Sequence, residues 1–181
     1  LGHDLLNPVG AIANSASLLT MISTEPDVLR TANIIRSSAT RMTVLIKNML
    51  DFASGRMGGG MPLNIENNIA IEKILNKVIA ETNSIWPDRE IQMELGLTMP
   101  VHADANRVAQ LFSNLLRNAI MYSKPGKAVV VKAFTQQDHF KLSLSNECDA
   151  IPPITMDRIF LPFNRSYVNK GQQGLGLGLY I

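Results

Sequence analysis

The stretch His3-Asp4-Leu5-Leu6-Asn7-Pro8 decides how this chain is read. His3 and Asn7 are four residues apart, so on a helix they stack on one face. Asp4 flanks the imidazole, and a carboxylate there can fix the ring tautomer and raise the basicity of the attacking nitrogen. Pro8 has no N–H to offer the carbonyl of Asp4, which predicts a freed polar group and a bend beside the histidine. Taken alone, the stretch admits two readings: an exposed histidine on an ordinary helix, or a nucleophile.

The sequence around it is helical in pattern. Across residues 1–22, Leu5, Val9, Ile12, Ala16 and Leu19 recur at spacings of four and three, an apolar seam that leaves His3 facing outward. Ser23, Thr24, Glu25 and Pro26 predict a turn, with Pro26 opening the next helix. Val28, Ala32, Ile35, Ala39, Met42, Ile46, Met49 and Ala53 then form a heptad-like stripe. Leu45, Leu50 and Phe52 widen that stripe beyond one seam. An antiparallel hairpin would leave apolar surface over, so two hairpins pairing into a four-helix bundle dimer is the expectation.

Gly55-Arg56-Met57-Gly58-Gly59-Gly60-Met61 is the best domain boundary, dividing a helical hairpin at 1–57 from an α+β domain at 58–181. In the second part, 61–65 reads as a short strand, and Asn67 or Asn68 as the cap of a helix running to Ile85. Residues 90–97 alternate as a strand, and Val101–Ala103 form another ending at Asp104, which caps a helix over 105–122. That helix carries Val108, Leu111, Phe112, Leu115, Leu116 and Ile120. A hairpin of strands over 128–135 and 139–146 follows.

A chain of 181 residues, 46% hydrophobic and 18% charged, folds rather than staying disordered, and a net charge of +2 gives no reason for nucleic acid. The single cysteine, Cys148, forms no disulfide within the chain, in keeping with a reducing, cytoplasmic setting. No apolar run approaches the roughly 20 residues of a membrane span.

Chemistry-bearing residues recur along the second part. Asn114 and Asn118 share one helix face, and two such amides suit a cation held together with phosphates, or simply cap loops and face water. The loop 146–153 follows a strand edge, where Asn146 can present its amide to a base and Ile151 can pack on the ring. Ile159-Phe160-Leu161-Pro162-Phe163 reads as an apolar plug, with Arg165 just after it. Gly174-Leu175-Gly176-Leu177-Gly178 opens what reads as a helix, and the N–H groups freed there form an anion site. His102, His139 and Cys148 read as ordinary surface or packed residues.

Their order resembles the sensor histidine kinases of two-component signalling over essentially the whole chain. HDLLNP resembles the H box, NLLRNAIMYS the N box, NECDAIPP the first G box, IFLPFNRS the F box and QQGLGLGLYI the second G box. The nucleotide fold is shared with DNA gyrase and the large heat-shock chaperone ATPases, which lack the H box and hairpin. The resemblance implies an ATP-dependent protein-histidine kinase, with His3 as phosphoacceptor, Asp4 as its acid/base partner, and Asn7 at the position linked to dephosphorylating the partner. It further implies ATP and Mg2+ at Asn114, Asn118 and Tyr122, with Asn118 the first choice as direct metal ligand. Asn146 and Ile151 would meet the base, Gly174, Gly176 and Gly178 the phosphates, and Arg165 the γ-phosphate, with Gln173 near the metal. Implied partners are a second copy, a response-regulator receiver domain, and an upstream sensor domain in a longer protein, for which membrane attachment is compatible with the family. Because the chain ends inside the second G box, the closing helix and strands of the nucleotide domain are expected to be missing.

The sequence also departs from the family pattern. Asn146, Cys148 and Ala150 stand where the family has DxGxG, Met121 where a basic residue often precedes the tyrosine, and Leu6 where arginine is common. Two alternatives therefore stand beside a working kinase: a degenerate dimeric docking scaffold, and a phosphotransfer or phosphatase module using His3, Asp4 and Asn7.

Overall fold

The computed structural model describes residues 2–56, 63–164 and 176–180. They fall into two units: Leu1–Met61 with Pro162–Leu177, and Pro62–Leu161 with Gly178–Tyr180.

The helical unit is built on α1 (Gly2–Ile22) and α2 (Pro26–Arg56). The turn between them is closed by Ser23 N–H donating to Leu19 O (3.1 Å) and Glu25 N–H donating to Ser23 Oγ (3.2 Å). Hydroxyls within the helices bond back to carbonyls one turn earlier, as Ser17 does to Ala13 and Thr43 to Ala39, so they are satisfied without leaving the helix. The two helices meet along small residues: Ala16, Ala32 and Ala39 are essentially buried, with Val9 and Asn48 nearly so.

The expected seam is therefore only half filled. Leu5, Ile12, Leu19, Met42 and Met49 remain exposed, as do Leu18, Ile34, Val44 and Leu45 off that register. One further expectation is corrected here. His3–Ile22, with a mean hydropathy of 1.4, is long and apolar enough to cross a membrane by length and composition. Past Asp4 its polar interruptions, such as Asn7, Asn14 and Ser15, are uncharged, so they break the run without removing its average apolarity.

The α/β unit is a two-layer arrangement. In chain order it contains α3 (Ile71–Ile85), β1 (Ile91–Gly96), α4 (Ala105–Tyr122), β2 (Val129–Gln136), β3 (His139–Ser145) and the single turn α5 (Pro153–Met156). The strands run in the order β1-β2-β3, with β1 parallel to β2 and β2 antiparallel to β3. A parallel neighbour needs a crossover, and α4 supplies it. β2 and β3 join through Gln137 and Asp138, both at positive φ (49° and 62°), as a two-residue type I′ loop requires.

Alternation sets the sheet's faces. Val129, Val131 and Ala133 point into the core, whereas Lys132 points out and pairs with its register partner Glu94 at 2.8 Å. Leu75, Phe112, Leu116, Val129 and Val131 are fully buried at the centre of the core.

Several local expectations differ. No strand forms at 63–65 or over Val101–Ala103; an antiparallel bridge, Glu66 to Ala103, and Ile69 N–H donating to Val101 O (2.9 Å) are what pairs these segments. α3 starts at Ile71 after Ala70 and has no side-chain cap, because Asn68 sits at φ 55° in the preceding turn. Leu111 is half exposed, since α4 buries the row Phe112, Leu116, Ala119 and Ile120 instead. Gly178–Tyr180 form a turn, not the start of a helix.

Candidate functional site

The H-box residues lie on the first two turns of α1. His3, Asp4 and Asn7 are all exposed, and Val9 is the first residue of this stretch to be buried. Pro8 lies inside the helix as expected. The histidine is thus presented to solvent on a helix whose hydrogen-bond ladder is broken one turn later.

In the other unit the site is organised by α4. Asp104 caps it, accepting from the N–H groups of Asn106 (2.9 Å) and Arg107 (3.1 Å), and its second oxygen accepts from Asn64 N–H at 2.9 Å. These donors favour the charged carboxylate and hold its pKa below the usual value, the Asn64 bond most strongly, with burial opposing. One side chain thus fixes the start of α4 and the segment before α3.

Asn114, Asn118 and Tyr122 repeat every four residues, a row separate from the one α4 buries in the core. Asn114 is 8% exposed, Asn118 half-buried and Tyr122 exposed. Gly178 sits against this row: a Cβ there would lie 3.7 Å from Asn114 Cγ and 3.7 Å from Arg117 Nη2. The structure therefore joins two motifs that the sequence leaves 60 residues apart. It also adds Arg117, whose burial pushes its guanidinium below the usual pKa. Sequence reading passed over Arg117, although it lies between the two asparagines of NLLRNAIMYS.

Asn146 follows the end of β3, and its backbone neighbourhood is fixed. Lys124 N–H donates to Glu147 O at 2.8 Å, and Glu147 pairs with Lys127 at 3.0 Å and Lys124 at 3.6 Å. The hydrogen bond from Lys127, together with its charge, lowers the pKa of Glu147. The Asn146 amide nitrogen is buried and has no hydrogen-bond partner among the described residues. Ile151 is 47% exposed.

The remaining candidates part from expectation or fall outside view. Phe160, Leu161 and Phe163 are more than half exposed, so this stretch is not a buried plug. Instead Phe163, at φ 60°, donates its N–H to Gly176 O (3.0 Å) and meets Phe52 edge-on at 5.1 Å. Gly176 is at φ 69°, a conformation suited to glycine. Arg165, Gln173 and Gly174 lie outside the described residues.

Among the described residues no group of three or more His, Cys, Asp or Glu side chains could hold a metal ion. Available oxygen ligands near Gly178 are side-chain amides, which fits Mg2+, a cation held mostly by phosphates and water. A buried unpaired amide at 146 and a side-chain-free cradle at 178 likewise fit a nucleotide's base and phosphates.

The described residues thus comprise a helical hairpin that presents an exposed histidine, and an α/β unit with an amide row beside a glycine turn. Both units have counterparts among known proteins. The family profile described as the His Kinase A (phospho-acceptor) domain matches residues 1–58. The profile described as histidine kinase-, DNA gyrase B- and HSP90-like ATPase matches residues 103–181. The chain is 32% identical over 184 residues to a bacteriophytochrome of Pseudomonas aeruginosa, covering 100% of this chain and 25% of that protein. It is 26% identical to the probable sensor histidine kinase TcrY of Mycobacterium tuberculosis, covering 99% of this chain and 38% of TcrY. Full-length ShkA in complex with AMPPNP shares the fold, with a TM-score of 0.68 at 22% identity over 99% of this chain and 38% of that one. AdeS of Acinetobacter baumannii gives a TM-score of 0.60 at 21% identity, covering 98% of this chain and 83% of that chain. The chain belongs to the sensor histidine kinases of two-component signal transduction, a family of ATP-binding transferases. It spans a quarter to about two fifths of the two curated relatives named here.

Proposed function

We propose that the chain is a working histidine kinase core, which phosphorylates His3 from Mg-ATP and passes the phosphoryl group to an aspartate of a response-regulator receiver domain. The observation that supports this most is the presence of both halves of the reaction: an exposed His3 on α1, and the Asn114–Arg117–Gly178 cluster in the α/β unit. In this reading the hairpin domain ends near residue 57 and the nucleotide domain begins at 58.

Phosphoryl transfer has a loose transition state, so positioning and charge neutralisation carry most of the catalysis. An unprotonated ring nitrogen of His3 attacks the γ-phosphorus, the bond to the bridging oxygen breaks, and ADP leaves with that electron pair. The proton on the other ring nitrogen passes to Asp4 or solvent, leaving a phosphohistidine with an uncharged ring and an anionic phosphoryl group. Pro8, inside the helix one turn on, offers no N–H to the ladder beside His3. Bound Mg2+ would neutralise phosphate charge, with Asn118 and Gln173 as its protein ligands. Asn114, Gly174, Gly176 and Gly178 hold the phosphates, Arg165 meets the γ-phosphate, and Tyr122 lies beside them. Arg117, one turn before Met121, supplies a cation that Met121 does not. Asn146 and Ile151 hold the base. Asn7 positions water when the phosphoryl group is removed from the partner.

The apolar stripe left uncovered on α1 and α2 supports a dimer through a four-helix bundle. A dimer seam of this kind accounts for the apolarity of α1, and the core works in the cytoplasm. A phosphorelay assay tests the proposal: labelled chain mixed with a cognate receiver domain should lose label as the receiver gains it, and Asn118→Ala should never acquire label. Wild-type labelling by the Asn118→Ala variant would contradict the assignment of the metal ligand.

A further inference from the structure

The Asn146 side chain carries an unexplained feature. Its Nδ2 is shut away from solvent and meets no acceptor among the described residues. A buried donor without a partner is unfavourable, and native structures hold few of them. The backbone here is pinned by the end of β3 and by Lys124 N–H bonding to Glu147 O, so the amide is satisfied by turning its side chain toward an acceptor that arrives.

We propose that Asn146 makes the purine site indifferent to whether position 6 of the base carries an amine or a carbonyl. This rests on the reading that the α/β unit binds a purine nucleoside triphosphate with Asn146 at the base. A carboxylate at this position only accepts, so against either purine edge it makes one hydrogen bond and sets its other oxygen against a lone pair, on N1 of a 6-aminopurine or on O6 of a 6-oxopurine. The carboxamide of Asn146 holds an acceptor and a donor side by side. Facing a 6-aminopurine, Oδ1 accepts from the exocyclic amine while Nδ2 donates to ring N1. Facing a 6-oxopurine, Nδ2 donates to O6 while Oδ1 accepts from the N1 proton. The two pairings differ by a half-turn of the amide, and either one relieves the buried Nδ2. A site that pairs with only one of two analogues discriminates strongly, because the other leaves a buried group unpaired; a site that pairs with both loses that discrimination.

The test is equilibrium binding of non-hydrolysable adenosine and inosine triphosphate analogues, with Mg2+, to the whole chain and to Asn146→Asp. Inosine differs from adenosine only by the 6-oxo group and its N1 proton. The expected result is wild-type affinities within about tenfold of each other, and an Asn146→Asp variant that binds both analogues about tenfold or more weakly, having lost one pairing with each. Wild type favouring adenosine by about 100-fold or more would overturn the proposal while leaving the nucleotide site intact. An aspartate variant that binds both analogues as tightly as wild type would overturn it too, since Asn146 would then make neither pairing. If neither analogue binds either protein, the proposal and the nucleotide-site reading fall together.

Discussion

Replacing Asn114 by leucine is expected to stabilise the nucleotide-free chain and to remove its response to nucleotide. The residue is 8% exposed and lies against the Gly178 turn. Holding an amide in a mostly buried place costs up to about 1–3 kcal/mol by protein mutational data. Leucine is close in shape and adds apolar burial, so the net gain is at least about 1 kcal/mol after imperfect repacking. For a domain of this size that corresponds to a rise of about 4–8 °C in Tm. Scanning calorimetry would follow the transition of the α/β unit with and without Mg-AMPPNP. A ligand at 100 times its Kd adds about 2.7 kcal/mol to the wild type, and the variant should show none of that increment. A fall in Tm of several degrees for Asn114→Leu would refute the reasoning, since the amide would then be a structural bond-former and not a group kept for a ligand.

The glycine turn gives a paired prediction. Gly178→Ala places its methyl at ordinary contact distance, so melting should be unchanged within about 0.5 kcal/mol while nucleotide affinity falls, measured by titration calorimetry. Gly176→Ala should also destabilise, by about 1–2 kcal/mol, because φ 69° strains any residue with a Cβ. Asp104 sets an acid limit. Its folded pKa lies below the ordinary 3.8, so its charge contributes stability that is complete above that value and lost as pH falls through the lower folded one. Asp104→Asn keeps a competent cap. Its deficit against wild type in denaturant titrations should therefore be constant near neutrality and vanish in strong acid. A deficit that persists at the lowest pH would mean the charge is not what stabilises the cap.

The elements most legible in the sequence were those whose periodicity answers to one neighbour. α2 begins at Pro26 as its turn signal predicts, and Asp104 caps α4 because a carboxylate before a helical run has donors waiting for it. The hairpin of β2 and β3 was readable from alternation, even though Gln137 and Asp138 replace the usual glycine turn. What failed depended on distant packing. Leu111 looks like core on spacing, yet α4 is rotated so that the sheet and α3 take Phe112 and Leu116. Ile159 to Phe163 reads as a plug from composition alone, and nothing local announces that Phe160 and Leu161 stay exposed. The meeting of Arg117 and Asn114 with Gly178 is a contact across 60 residues, visible only in three dimensions. Motif order carried the family; spacing alone would have left His3 and the asparagine pair undecided.

The most direct test of the central claim is labelling of the chain, extended through any further C-terminal segment of its nucleotide domain, with Mg-ATP carrying a γ-phosphate label, beside His3→Gln. The account predicts a label that is lost in acid, survives in base, and is absent from the variant. A label that persists in His3→Gln, or one that resists acid, would contradict the assignment of His3 as the phosphoacceptor.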